Sequence, residues 1–313
     1  MDWEGKKVLV TGGAGFIGSH IIQKLVALKA DVTALDVIRK TSTINLDEFK
    51  DNIGIVDIDI SKKEDFDSLK TDYEHIFHLG AIGQPRVCQD NPELAFRINV
   101  MGTLNVLNFA QKNSNLKKLV FSSSTLLYGN PKYLPIDENH PIDISTNVYC
   151  LTKKIGEELC EQYSKIRNVP TVYLRLSNMF GPKQASDYII PTIIIQAIKS
   201  KKIEVWNGEF IRDFTYIADT VFAFLKAAES EFIGGPINIT SGSKIKVGDI
   251  GMQIAVHSGA EYTSLNKQLS SPMLIHCDNQ KAKKFLEWSP ETPFEEGLKL
   301  TYKWYSNNMD RFS

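Results

Sequence analysis

Tyr149-Cys-Leu-Thr-Lys153 sets a phenol and an ammonium four residues apart, a spacing that puts both on one face of a helix. A tyrosine hydroxyl ionises near pH 10, so it serves as a base at neutral pH only with a cation beside it. Lys153 is the cation this spacing offers. Cys150, one residue onward and about 100° around such a helix, reads as a small helix residue, not a nucleophile.

The chain also carries a site for an electron acceptor. Val8-Leu-Val-Thr-Gly-Gly-Ala-Gly-Phe-Ile-Gly-Ser19 runs an apolar strand into closely spaced glycines and then into helix-forming sequence. Gly12 suits the tight turn, Gly15 the close approach of backbone to phosphate, and Gly18 the packing of helix on strand. The helix N-terminus then faces the anion. Asp36 closes the next apolar run, eighteen residues after Gly18, where a carboxylate accepts from the hydroxyls of an adenosine ribose. These residues point to a dinucleotide, and Asp36 favours NAD over NADP because it would repel a 2′-phosphate. Arg39 and Lys40 are the residues that would argue otherwise.

These groups need a scaffold, and the 313-residue chain is long enough for a substantial core. Short β-branched runs at residues 7–11, 32–36, 53–58, 75–79, 118–122 and 171–176 alternate with helical apolar spacing over 19–28, 63–70, 93–112 and 149–165. That alternation predicts an α/β fold with a Rossmann-type doubly wound parallel sheet over residues 1–175. Residues 176–313, richer in punctuating Gly and Pro, read as a smaller, mixed C-terminal substrate lobe with some segments returning to the first domain. The substrate cleft is expected between them, outside the carboxyl ends of the strands.

Thirty-six Lys and Arg against 37 Asp and Glu argue against a nucleic-acid or membrane surface, which leaves small molecules and a second copy as partners. No apolar run reaches membrane-spanning length and no signal-peptide core follows Met1. Four scattered cysteines without a Cys-x-x-Cys pair and six dispersed histidines imply no disulfide framework, no metal site and a reducing cytoplasm. His78 reads as a packing histidine at a strand end.

Further motifs follow in order: Asp59-Ile60, His78-Leu-Gly-Ala81, Asn99-Val-Met-Gly-Thr103, Phe121-Ser-Ser-Ser124, Arg175-Leu-Ser-Asn178 and Arg212-Asp-Phe-Thr-Tyr-Ile-Ala-Asp219. With the glycine turn, Asp36 and Tyr149-x-x-x-Lys153, this set resembles the extended short-chain dehydrogenase/reductase family across nearly the whole chain. The likeness is to its UDP-glucose 4-epimerase-like branch, which modifies nucleotide-activated sugars. The resemblance implies that Tyr149 takes the proton of the sugar 4-hydroxyl, that Ser124 orients that hydroxyl, and that Lys153 binds the nicotinamide ribose and lowers the Tyr149 pKa. Ser122 and Ser123 are rivals of Ser124, which lies four residues before Tyr128-Gly129, where the family places its active hydroxyl. Phe16, Ile17 and Ser122 join the cofactor set, with Asp59 and Ile60 at the adenine edge, Leu79, Gly80 and Ala81 beneath the cofactor and Asn99 as a supporting contact. Asp57 competes with Asp59. Homodimerisation through a four-helix bundle of residues 93–112 and 149–165 is also implied.

The residues after Ser124 select the reaction. By resemblance, 4,6-dehydratases carry Asp-Glu there and nucleotide-sugar decarboxylases carry Glu in the second place, but here they are Thr125 and Leu126. Leu126 transfers no proton, so oxidation at C4 with hydride returned to the opposite face, a 4-epimerisation, is the leading expectation. A 4-dehydrogenase or keto-sugar reductase is the alternative, decarboxylase and dehydratase follow, and a non-catalytic NAD-binding regulator is disfavoured by Tyr149 and Lys153. For the substrate, Asn178 and Arg212 match diphosphate contacts, the plainer reading of Arg212 being an ion pair with Asp213. Gln268 stands where a second diphosphate Arg is usual, with Lys267 beside it. Thr125 lies at the sugar, and Arg86 is a cation for a sugar carboxylate.

Overall fold

The computed structural model describes residues 2–38, 43–266 and 273–312. Arg39, Lys40, Lys267 and Gln268 lie outside the described residues. Six strands follow the apolar runs: β1 (Lys7–Thr11), β2 (Asp31–Asp36), β3 (Gly54–Asp57), β4 (His75–His78), β5 (Lys118–Ser124) and β6 (Thr171–Leu176). Between them run α1 (Phe16–Ala27), α2 (Pro85–Asp90), α3 (Pro92–Ala95), α4 (Gly102–Gln111) and α5 (Val148–Arg167).

Beyond β6 come β7 (Asn178–Phe180), α6 (Ile189–Lys199), β8 (Lys202–Trp206), β9 (Ile211–Arg212), β10 (Phe214–Tyr216) and α7 (Ile217–Glu229). The chain then forms β11 (Gly234–Ile239), β12 (Ile245–Lys246), α8 (Val247–Ser258), β13 (Glu261–Leu265), α9 (Gln280–Leu286) and α10 (Phe294–Asn307).

Among the described residues the central sheet has seven parallel strands in the order β3-β2-β1-β4-β5-β6-β11. The order reverses between β1 and β4, and in such sheets the crevice beyond the strand ends at that point is where ligands sit. Alternation along each strand feeds two cores. Val8, Val10, Val32, Ala34, Phe77 and Val120 pack with Ile21 and Ile22 of α1 and Ala223 and Phe224 of α7. On the opposite face Leu9, Leu35, Ile76, Leu119 and Phe121 meet Val106, Leu107 and Phe109 of α4 and Cys160 of α5. A third core joins Ile193 and Ile194 of α6, Val205 of β8, Ile250 and Ile254 of α8 and Tyr305 of α10.

Two segments depart from the sequence reading, and a third belongs to the C-terminal half yet joins the central sheet. Residues 234–239, with Gly234, Gly235 and Pro236, form the seventh strand of that sheet. Proline is tolerated because β11 is an edge strand, and the pairing slips between Gly234 and Ile237. The helix expected over 93–112 breaks at a π-helical turn, Phe96–Met101, whose wider winding turns Asn99 into the interior. Residues 63–68 are a 3₁₀ helix that buries a single residue, Phe66.

Candidate active site

The carboxyl ends of β1, β4, β5 and β6 open into one cleft of about 480 Å³. Its walls include Gly12, Gly15, Phe16, Ile17 and Gly18, then Leu79 and Ala81, the run Ser122 to Leu126, Tyr149 and Lys153. From beyond β6, Asn178, Tyr188, Arg212 and Ile275 complete it.

The glycine turn is shaped for an atom other than Cβ. Gly12 sits at φ +68°, and a Cβ there would come within 2.8 Å of the Gly80 nitrogen. A Cβ on Gly18 would fall 2.2 Å from the Gly12 carbonyl oxygen, so α1 reaches this close to β1 only with glycine. Asp36 ends β2 and accepts from the Ala14 N–H at 3.0 Å, which fixes its carboxylate against the glycine turn. Asp36 pairs in register with Asp57, the last residue of β3. Asp59 lies past that strand end and accepts from the Ser61 N–H and hydroxyl. Ile60 is buried and fills the space beside Gly80 and Gly102.

Asn147 caps α5 by accepting from the Cys150 N–H at 2.9 Å, so Tyr149 stands in the first turn. Gly156 lets α5 lie against β5, since a Cβ there would meet the Phe121 ring at 2.6 Å. This approach sets the buried Tyr149 phenol beside Ser124 in the cleft wall. Burial pushes that phenol far above its ordinary value, and Ser124 opposes the shift. The Lys153 ammonium sits 5.9 Å from the Tyr149 ring centroid and donates to the Ser122 carbonyl at 2.8 Å. Its own burial lowers its pKa to about 8.

Asn99 does not line the cleft; it braces it. Its Oδ1 accepts from Ile82 N–H at 2.8 Å, and its Nδ2 donates to Thr152 Oγ1 at 3.0 Å, joining the loop after β4 to α5. The Gly80 N–H donates to Thr11 Oγ1 behind the wall. His78 is buried between the hydroxyls of Thr11 and Thr103, and burial lowers its pKa to about 3, so it is a neutral packing group.

Asn178 holds its place by donating to the Asp213 carbonyl at 2.9 Å. The Arg212 guanidinium faces the cleft while it donates to the Ile211 carbonyl at 2.8 Å and stacks over Phe210. The neighbouring Asp213 carboxylate accepts from the backbone N–H groups of Ser241 and Gly242 and the Ser241 hydroxyl. Arg86 is not brought to the cleft. Pro85 opens a short helix that turns Arg86 outward, 93% exposed, toward Asp90 one turn on. Gly83, Gln84 and Pro85 line the cleft in its stead, and Gln84 donates to Asp187 at 2.5 Å across its mouth. Tyr188 and Ile275 were not foreseen; they arrive from remote loops with no spacing signal.

The family model of the NAD dependent epimerase/dehydratase family matches residues 8–240. A putative UDP-glucose 4-epimerase of Methanocaldococcus jannaschii is 34% identical over 313 residues, covering 96% of this chain and 99% of that protein. UDP-glucuronic acid decarboxylase 1 of Xenopus tropicalis is 28% identical, covering 97% of this chain and 73% of that protein. Among solved structures, UDP-glucuronic acid 4-epimerase from Bacillus cereus, in complex with UDP-glucuronic acid and NAD, has a TM-score of 0.85 at 27% identity. That likeness covers 96% of this chain and 99% of the other.

Proposed function

Because the chain belongs to the NAD dependent epimerase/dehydratase family, we propose that it is a nucleotide-sugar 4-epimerase acting through a transient 4-keto sugar, with Tyr149 as its base. The protein is an enzyme of the nucleotide-sugar epimerase/dehydratase kind, and NAD is its cofactor. The glycine cradle fits that cofactor: space that a Cβ would fill at Gly12 and Gly18 is left to backbone, and Asp36 is anchored beside it. When bound, NAD supplies a reversible acceptor for the hydride of C4.

The remaining steps belong to side chains. Ser124 and Tyr149 together hold the sugar 4-hydroxyl, Tyr149 takes its proton as the carbonyl forms, and the same phenol returns the proton after the sugar has turned over. Lys153, anchored on Ser122, stands beside the phenol and is proposed to bind the ribose of the nicotinamide. Asn178 and Arg212 are proposed to hold the diphosphate, and Thr125 to face the sugar.

One observation carries epimerisation over elimination or decarboxylation. Among the described residues that line the cleft there is no Asp or Glu, and Leu126 lies in its wall beside Ser124. Both competing reactions need a further acid or base, and the wall offers an apolar side chain at that place. The test is mass spectrometry of products after incubation with NAD and a panel of UDP-, GDP-, CDP- and dTDP-sugars. A new peak of unchanged mass is expected, UDP-sugars first because the relatives above act on them; loss of water or carbon dioxide would refute the reading.

A homodimer through α5 and residues 93–112 is part of the proposal. Phe96 and Met101 are exposed on the π-helical turn and Ile166 at the end of α5, and a second copy would cover them. Light scattering should return twice the chain mass at micromolar concentration. The described cysteines are buried and form no disulfide among the described residues, which suits a reducing cytoplasm. No helix among the described residues is long and apolar enough to cross a membrane.

A further inference from the structure

Behind the Ser124–Tyr149 contact lies a buried ion pair that the steps above do not use. Glu157 of α5 and Arg175 of β6 are 1% and 3% exposed and meet through two bonds, Nε to Oε1 at 2.8 Å and Nη2 to Oε2 at 2.7 Å. Glu157 continues the row Tyr149, Lys153, Glu157, one turn apart on the same face of α5. Its Oε1 also accepts the Ser123 hydroxyl at 2.6 Å. The third arm of Arg175, Nη1, donates to the Tyr128 hydroxyl at 3.0 Å, and that hydroxyl donates to Asn238 of β11 at 2.6 Å.

Ser123 and Tyr128 bracket Ser124 in the chain. One is tied to Glu157 and the other to Arg175, so the pair clamps both sides of Ser124 to the helix that presents Tyr149. A buried pair is weak as a source of stability, because desolvating two charges offsets most of their attraction. Its bidentate geometry is strong as a fixture.

We propose that Glu157 and Arg175 are positioning residues, which act through Ser123 and Tyr128 to hold Ser124 in place beside Tyr149. This rests on the reading of Tyr149 as the base. Five groups face that phenol: Ser124 from β5, Lys153 and Cys150 from its own helix, Cys88 from α2 and Tyr188 ahead of α6. Of these, Ser124 opposes the upward shift that burial gives the phenol.

Ser123→Ala cuts the link from helix to strand and leaves the ion pair whole, so the variant should fold. In the NAD-loaded protein, kcat at neutral pH should fall about tenfold with little change in KM, since a small misplacement of reacting groups acts on the chemical step. The acid limb of the kcat profile should move to higher pH. Ultraviolet titration against Tyr149→Phe reads the phenol directly and should show it ionising later in Ser123→Ala. Ser123→Thr keeps the hydroxyl and should restore both readouts, while Glu157→Gln should displace them further. A folded Ser123→Ala protein whose phenol titrates as in the wild type overturns the proposal. A shifted titration in a protein that turns over no nucleotide sugar leaves the positioning intact and refutes the epimerase reading.

Discussion

Tyr149 sits in a pocket where burial pushes its phenol up and Ser124 opposes that shift. A base in that position works better as the solution becomes more alkaline, so kcat should climb with pH through the neutral range. Tyr149→Phe removes the proposed proton acceptor and should cost about 100-fold or more in kcat while NAD stays bound; a variant retaining most turnover would move the base elsewhere. At this scale the sequence was informative where chemistry depends on local spacing. Tyr149 and Lys153 share a helix face, and Ser124 ends a strand. It was uninformative where position depends on folding: Arg86 looked available to the sugar, but Pro85 starts a helix that turns it outward. Glu157 was within reach of the same spacing rule, yet its importance appears only with Arg175, eighteen residues later and on another element.

The glycine turn, the strand after it and α5 are the elements that assemble the site. Gly18 tests the first. Gly18→Ala puts a methyl 2.2 Å from a backbone carbonyl oxygen, so the turn must shift at a cost of about 1–3 kcal/mol. Thermal melting with and without NAD should show lower stability and a smaller stabilisation by the cofactor. Unchanged NAD stabilisation would mean that the cofactor does not use this turn. Strands with uninterrupted β-branched or aliphatic residues were legible. β11 was not, because Gly234, Gly235 and Pro236 carry the signal of a loop and only pairing with β6 makes them a strand. The break in the helix at residues 96–101 was hidden for a related reason: apolar spacing fits a continuous helix, and the bonds that Asn99 makes to Ile82 and Thr152 from the π-helical turn reach remote parts of the chain.

Across the whole molecule, three histidines are held neutral by burial. His20 and His75 are lowered to about 4 and His78 to about 3, whereas the unfolded chain protonates them near 6.5. Between those values the unfolded state binds more protons, so stability rises with pH there and is lost as pH falls from about 6.5 toward 4. Urea midpoints measured over that range should decline, and His78→Gln should flatten part of the decline. The C-terminal segment is bound to the first core by Trp288, which is fully buried and donates to the Asp219 carbonyl at 2.9 Å. Trp288→Ala should cost about 3–5 kcal/mol by urea unfolding; a loss under 1 kcal/mol would mean that this docking matters little.

In the proposed epimerisation, hydride leaves C4 and comes back to the same carbon from the other side. It is tested most directly with a UDP-hexose carrying deuterium at C4, converted by the NAD-loaded protein and read by nuclear magnetic resonance. Inverted product that keeps deuterium at C4 is expected. Deuterium accumulating in released reduced cofactor, or a product unchanged at C4 and altered at C5 or C6, would contradict it.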